Sequence, residues 1–253
     1  MFKHAIVRIV SKNFQYGLTS SKLGKPDYNK ALIQHSDYIK ALRKCGLEVL
    51  TLETDDRFPD STFVEDTAVV NEDLAIIANL GETSRKGEEI EIREVLDKFY
   101  ENVESIEKPG SLDGGDVLRV EDQYFIGISK RTNKVGALQL KEILKKYGFS
   151  CSLVKLKEVI HLKTGLAYIG DKNLIVSGEF IDNPLFQNYN IIKVDEDESY
   201  AANCIRVNNY VLIANGYEKL INSISSLGYK VLKLDITEFR KMDGGLSCLS
   251  LRF

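Results

Sequence analysis

The sequence has no apolar run approaching the roughly eighteen residues that a membrane span requires. None of its cysteines is spaced as CxxC: Cys45, Cys151, Cys204 and Cys248 lie far apart in apolar segments, so neither a zinc site nor a disulfide framework is signalled. Basic excess is also missing. With 34 Lys and Arg against 37 Asp and Glu, the net charge is −3 and the cations are scattered, which argues against nucleic acid or an anionic membrane surface as partner. Met1-Phe2-Lys3-His4 leads into an apolar strand with no small-residue cleavage site, so the expectation is a cytoplasmic protein acting on a small polar molecule. No linker composition interrupts the chain, and residues 1–253 read as one domain.

What is present is a soluble composition, 43% hydrophobic and 28% charged, and a repeat. Thr67 to Asn71 and Leu74 to Asn79 are apolar runs joined by Glu72-Asp73, followed by a helical pattern near Gly87 to Phe99 and a strand near Asn102 to Ile106. The same ββαβ order recurs where the strands Asp116 to Val120 and Gln123 to Ser129 flank Glu121-Asp122, with Leu138, Ile143 and Leu144 on a helix and Gly148 as its cap. It recurs around Asp171-Lys172, where the middle is short and poorly periodic, and around Asn208-Asn209. A fifth unit needs the C-terminal segment Gly245 to Phe253, read as a strand with Cys248 near its start, to pair with the N-terminal strand Ala5 to Val10. The helix from Tyr28 to Cys45 and the strand Leu47 to Leu52 complete it. Such a closure predicts an α/β propeller of five repeats around a central pocket.

In equivalent units the first hairpin strands begin on one face, and the chemically capable residues gather there: Asp60, Glu65 and Asp66, then Asp113, His161, Asn203 and Cys248. A lone cysteine is most often a small core residue. A cysteine with a histidine suits nucleophilic attack with proton transfer near neutral pH. His161 is one of three histidines; His35 lies on the apolar face of a helix and reads as a satisfied core residue. Adjacent acids entering an apolar strand, as Glu65-Asp66 do, are either solvated turn residues or carboxylates in need of a cation, and a guanidinium forks onto carboxylates. Gly114-Gly115 permits a sharp turn, whether beside a ligand or not. Arg85 and Arg131 are surface charges or carboxylate holders.

Phe63-Val64-Glu65-Asp66-Thr67, Leu112-Asp113-Gly114-Gly115-Asp116, Gly127 to Asn133, His161-Leu162-Lys163, Ala201-Ala202-Asn203-Cys204 and the segment around Cys248 occur in that order. In these motifs the chain resembles the dimethylarginine dimethylaminohydrolases, members of the guanidine-modifying superfamily with the five-bladed α/β propeller, or pentein, fold. The resemblance implies Cys248 as nucleophile, His161 as general acid and base, and Asp113 as the carboxylate that orients His161. It implies Asp66, helped by Glu65, on the guanidinium, Asp60 and the Leu18 carbonyl on an α-amino group, and Arg85 and Arg131 on an α-carboxylate. Phe63 and Asp243 would line the pocket, and residues 13–28 would act as a lid. No cofactor or metal is implied, and a monomer or homodimer is expected.

No arginine or lysine adjoins Cys248 in sequence, so the substrate cation itself is expected to favour its thiolate. Arginine deiminases of this superfamily carry an aspartate two residues after the histidine, where this chain has Lys163; that favours methylarginine over arginine. An arginine deiminase-like activity is the alternative. A non-catalytic protein of the ribosome-associated initiation factor type is an alternative of another class, since fold alone does not certify chemistry.

Overall fold

The computed structural model describes residues 1–253. They build five three-stranded sheets, and the chain divides into two compact units, Met1–Val64 with Asn203–Phe253, and Glu65–Ala202.

In the second unit the sheets follow chain order. The first holds β3 (Ala68–Val70), β4 (Ala75–Ile77) and β5 (Val103–Ser105), and the second β6 (Val117–Val120), β7 (Gln123–Ile128) and β8 (Ser150–Lys155). The third holds β9 (Leu166–Gly170), β10 (Asn173–Val176) and β11 (Asn190–Lys193). Each is an antiparallel hairpin plus a third strand parallel to the middle one. A parallel partner requires a crossover. Helices α2 (Glu88–Leu96) and α3 (Lys134–Lys146) supply two of them, whereas the poorly periodic third crossover contains two 3-10 turns, Gly178–Phe180 and Pro184–Phe186.

Helix α3 starts where Asn133 accepts the Gly136 N–H, and it packs Ala137, Leu140, Ile143 and Leu144 into a core with Ile76, Val117 and Ile126. Leu138, assigned to that face from spacing, points to solvent at 41% exposure. The apolar stripe runs through Leu140 instead, one helical step from Ala137 and Ile143.

The first unit holds the remaining two sheets. One is β12 (Ile205–Val207), β13 (Tyr210–Ala214) and β14 (Lys230–Leu234), bridged by α4 (Glu218–Ser226). The other has β1 (His4–Arg8) in the middle, parallel to β2 (Glu48–Leu52) and antiparallel to β15 (Leu251–Arg252), with Ala5 opposite Arg252. The N- and C-terminal segments thus share a sheet, as the fifth repeat requires. The predicted C-terminal strand is far shorter than expected. Residues before Leu251 leave the ladder for a 3-10 turn, Ser247–Leu249, so Cys248 stands on a turn and not on a strand.

Helix α1 (Tyr28–Lys44) bridges β1 and β2. Asp27 caps it by accepting the Lys30 N–H, and Arg43 and Lys44 lie in its last turn, where cations complement the helix dipole. Its buried face includes Ala31, His35, Tyr38 and Leu42. His35 is a core residue but not a satisfied one: its Nε2 has no hydrogen-bond partner, and burial lowers its pKa to about 4, so it is carried neutral. A short α5 (Thr237–Arg240) packs on α1.

Candidate active site

Every first strand is entered from a 3-10 turn: Val64–Thr67 before β3, Gly114–Asp116 before β6, Leu162–Thr164 before β9, Glu196–Ala202 before β12 and Ser247–Leu249 before β15. The reactive residues stand on these turns or one residue from them. Glu65 and Asp66 lie within the first, Asp113 and His161 cap the second and third, Asn203 follows the fourth, and Cys248 is central to the fifth.

Within Glu65–Ala202 an ion cluster forms. His161 Nε2 lies 3.1 Å from Asp113 Oδ2 and 3.9 Å from Asp66 Oδ1. The other Asp113 oxygen accepts the Gly81 N–H at 2.8 Å, so that carboxylate is held at both ends. Asp66 accepts the Gly115 N–H at 2.9 Å and an Arg85 Nη1 bond at 2.6 Å. Arg85 turns the rest of its fork to Glu88 at 2.8 to 3.1 Å. Lys163 Nζ meets Glu65 at 2.6 Å, and Arg131 meets Glu82 at 2.8 Å.

Glycine at 114 and 115 is needed for room, not for an unusual torsion. A Cβ at Gly114 would sit 2.0 Å from the Glu65 carbonyl oxygen, and one at Gly115 would sit 2.9 Å from the His161 ring. Neither residue has positive φ.

Burial alone would lower the His161 pKa, but Asp66, the hydrogen bond to Asp113, and Asp116 outweigh it and hold it up at about 9. Asp66 mirrors this: burial would raise it, yet His161 and Arg85 hold it down at about 2. Asp116, less fully compensated, is pushed up by burial to about 6. Oxygen and nitrogen atoms of Asp66, Asp113 and His161 lie within 4.8 Å of one another. An imidazolium offers an N–H and no lone pair, so at neutral pH the trio is an ion-pair cluster.

The stability consequence has a definite sign. A raised histidine pKa contributes stability that is complete below about 6.5 and is lost as pH rises through about 9. The depressed Asp66 contributes above about 4 and loses its part as pH falls through about 2. Between pH 6.5 and 9.5 wild type should therefore lose on the order of 2 kcal/mol more than His161→Asn, read as converging melting temperatures. Parallel Tm curves would contradict it.

Within Met1–Val64 and Asn203–Phe253, Cys248 is half-buried and its Sγ receives the Gly245 N–H at 3.4 Å, a donor placed to stabilise negative charge on sulfur. Asn203 fixes the turn from one side, accepting the Ser247 N–H at 2.9 Å and donating to Ser247 Oγ at 3.1 Å. Tyr38 fixes it from the other, donating to the Leu246 carbonyl at 2.9 Å and meeting Ser250 Oγ at 2.6 Å.

Asp60 is buried and accepts the Leu18 N–H with both oxygens at 3.1 Å. Asp243, exposed at φ 57°, accepts the backbone N–H and the hydroxyl of Ser20. Phe63 packs with Phe14 and Phe239. The segment expected to be a lid is thus pinned by two of the residues expected to meet a ligand.

A family model described as N,N dimethylarginine dimethylhydrolase, eukaryotic, matches residues 11–250. The chain belongs to the dimethylarginine dimethylaminohydrolase family.

A family relative from Pseudomonas aeruginosa, N(G),N(G)-dimethylarginine dimethylaminohydrolase, is 51% identical over the full length of both chains. One from Streptomyces coelicolor is 34% identical, covering 99% of this chain and 96% of its own. A structure of the Pseudomonas dimethylarginine dimethylaminohydrolase, a cysteine-to-serine mutant complexed with citrulline, superposes with a TM-score of 0.99 at 50% identity, all of both chains being covered. The N-terminal domain of the cyanobacterial arginine dihydrolase ArgZ shares the fold at 17% identity and TM-score 0.88, covering 98% of this chain and 96% of its own. The five repeats, four of them ββαβ and the third with 3-10 turns in place of the helix, are accordingly those of the pentein α/β propeller.

Three groups in this dimethylarginine dimethylaminohydrolase family member escaped the sequence reading. Glu88 lies three residues after Arg85 across a non-helical break at Lys86 and Gly87, so no helical spacing marks the pair. Asp116 was assigned to a strand and instead closes a 3-10 turn with its side chain buried. Tyr38 looked like any core aromatic. Arg85 was expected to present its fork to a ligand; the structure places it as a buried counter-ion for Asp66 and Glu88, because two desolvated carboxylates require one.

Proposed function

We propose that this chain hydrolyses Nω-methylated arginine to citrulline and a methylamine. The observation that carries the reading is the charge of the cluster in Glu65–Ala202. Arg85, Lys163 and protonated His161 are three cations against five carboxylates, Asp66, Glu88, Glu65, Asp113 and Asp116. Negative charge is in excess there, and a bound guanidinium offsets part of it.

Asp66 receives that guanidinium, with Glu65 held behind it by Lys163. Arg131, with Arg85 adding its field, marks the α-carboxylate end, while Asp60 and the Leu18 carbonyl take the α-amino group. Phe63 and Asp243 wall the pocket. A guanidinium resists attack because its resonance is lost at a tetrahedral carbon, so fixing the cation between carboxylates lowers that barrier. The Cys248 thiolate forms a C–S bond to the guanidinium carbon. His161, oriented by Asp113, gives its proton to the methylamine as the C–N bond breaks, leaving an S-alkylthiouronium. Water then adds, His161 takes its proton, and the C–S bond breaks to release citrulline and the thiolate. The reaction suits a cytoplasmic monomer or homodimer with no other partner than its small substrate; no helix here is long and apolar enough to cross a membrane.

Purified protein incubated with monomethylarginine, dimethylarginine or arginine should release citrulline from the first two. An inert preparation would sink the reading in favour of a binding role.

Lys163 bears on the choice of substrate. A methylated nitrogen has fewer N–H groups, and a carboxylate waiting for them would be left unpaired, at a cost of about 1–3 kcal/mol. Lys163 keeps Glu65 paired whatever the substrate carries. Lys163→Ala should therefore raise the ratio of kcat/KM for arginine to that for methylarginine by about tenfold, and an unchanged ratio would remove Lys163 from the account.

A further inference from the structure

The mechanism leaves one buried acid unused. Asp116 has no exposed surface, and each of its oxygens has a separate task. Oδ1 accepts the Leu162 N–H at 3.0 Å, on the residue directly after His161. Oδ2 accepts the hydroxyl of Ser129 at 2.6 Å. Ser129 Oγ in turn accepts the backbone N–H groups of Arg131 at 2.9 Å and Thr132 at 3.1 Å, and Thr132 Oγ1 accepts the Asp113 N–H at 3.1 Å. Residue 127 is glycine where a Cβ would press on Asp116 Oδ1 at 2.9 Å, so the neighbouring strand leaves room for this carboxylate.

We propose that Asp116 is a positioning residue that fixes the backbones of His161 and Arg131 together, one carboxylate oxygen serving each. Ser129 has one proton and two lone pairs. With both lone pairs taken by N–H donors, its proton must go to an acceptor, which makes the direction of the chain obligatory. A carboxylate meets both demands at once. An amide cannot, because its NH2 end faces either Leu162 N–H or a serine oxygen with no lone pair to spare. The charged group that faces Asp116 is the His161 imidazolium; Ser129, Thr132 and the Leu162 N–H are uncharged donors. Asp116 therefore sets the angle of the acid–base group and of the carboxylate-binding cation through their main chains, and adds negative charge beside the imidazole.

The kinetic part of the test rests on the methylarginine hydrolase reading; the titration does not. The ring protons of the three histidines are followed by NMR against pH in wild type, Asp116→Asn and Ser129→Ala, with His161 assigned through His161→Asn. In Asp116→Asn the His161 midpoint should fall by at least about half a pH unit, and in Ser129→Ala, which keeps the charge, it should stay in place. With methylarginine, Ser129→Ala should raise KM about tenfold with kcat within about threefold, and Ser129→Thr, which keeps the hydroxyl, should restore KM. Asp116→Asn should lose in both kcat and KM. An unmoved midpoint in Asp116→Asn, or a wild-type KM in Ser129→Ala, overturns the proposal. Where Asp116→Asn does not fold, the two serine variants decide it. A wild type inert on methylarginine refutes the hydrolase reading and leaves the midpoint to judge Asp116.

Discussion

Cys248→Ser is expected to lower kcat on methylarginine by at least about a thousandfold while leaving the fold intact. A serine hydroxyl is scarcely ionised at neutral pH, and the route through a covalent intermediate requires an anionic nucleophile. The turn itself should persist, because the bonds from Asn203 and Tyr38 reach Leu246, Ser247 and Ser250 and none of them uses the sulfur. Thermal melting within about 3 °C of wild type should accompany the loss. The other cysteines give a built-in contrast: burial pushes the thiols of Cys45 and Cys151 up to about 11 and that of Cys204 to about 12. Brief alkylation near pH 7.5 should thus place one adduct, at Cys248, and activity should fall in step with it. Retained turnover in Cys248→Ser, or inactivation tracking another cysteine, would remove the nucleophile from the proposal.

Asp66→Asn should have the second-largest effect, on activity and stability together. Its carboxylate receives Arg85 at 2.6 Å and lies 3.9 Å from the His161 imidazole, all three being largely desolvated. Removing one member of a buried ion pair strands the other, which typically costs about 3–5 kcal/mol. Glu88 retains its bonds to Arg85 and should keep the loss toward the lower end. The guanidinium loses its charge-assisted partner at the same time, so kcat/KM should fall by about a thousandfold or more. His161 also loses the strongest of the charges that raise its pKa, so its titration should move down toward neutrality. A variant with wild-type KM, and a His161 that titrates as before, would show that Asp66 is not where the cation is received.

Periodicity read the architecture well, because a strand buried on one face and a helix with one apolar stripe announce themselves at intervals of two and about 3.6. The hairpin links Glu121-Asp122, Asp171-Lys172 and Asn208-Asn209 each hold at least one residue at positive φ, the torsion that short hairpins demand, and polar residues stood there to be seen. The 3-10 turns were not legible. They are three to seven residues long, too short for any period to show, and the strand pattern beside them absorbed their residues. That is why Cys248 and Asp116 were assigned to strands. Residue types nevertheless identified most of the cluster around His161, since a histidine and acids in apolar surroundings are conspicuous. Pairing was beyond reach: nothing local to Lys163 says that it meets Glu65, or that Asp113 is anchored by the Gly81 N–H.

The sheet shared by β1 and β15 has a consequence for biosynthesis. As the polypeptide leaves the ribosome, the three sheets of Glu65–Ala202 can each close from nearby sequence, but β1 has to wait for Leu251 and Arg252 before its antiparallel edge is filled. Long-range pairing of this kind is slow and exposes an open edge to aggregation while it is pending. The turn bearing Cys248 is therefore made after the sheets of Glu65–Ala202, and a nascent chain carries His161 and the acids around it before Cys248 emerges.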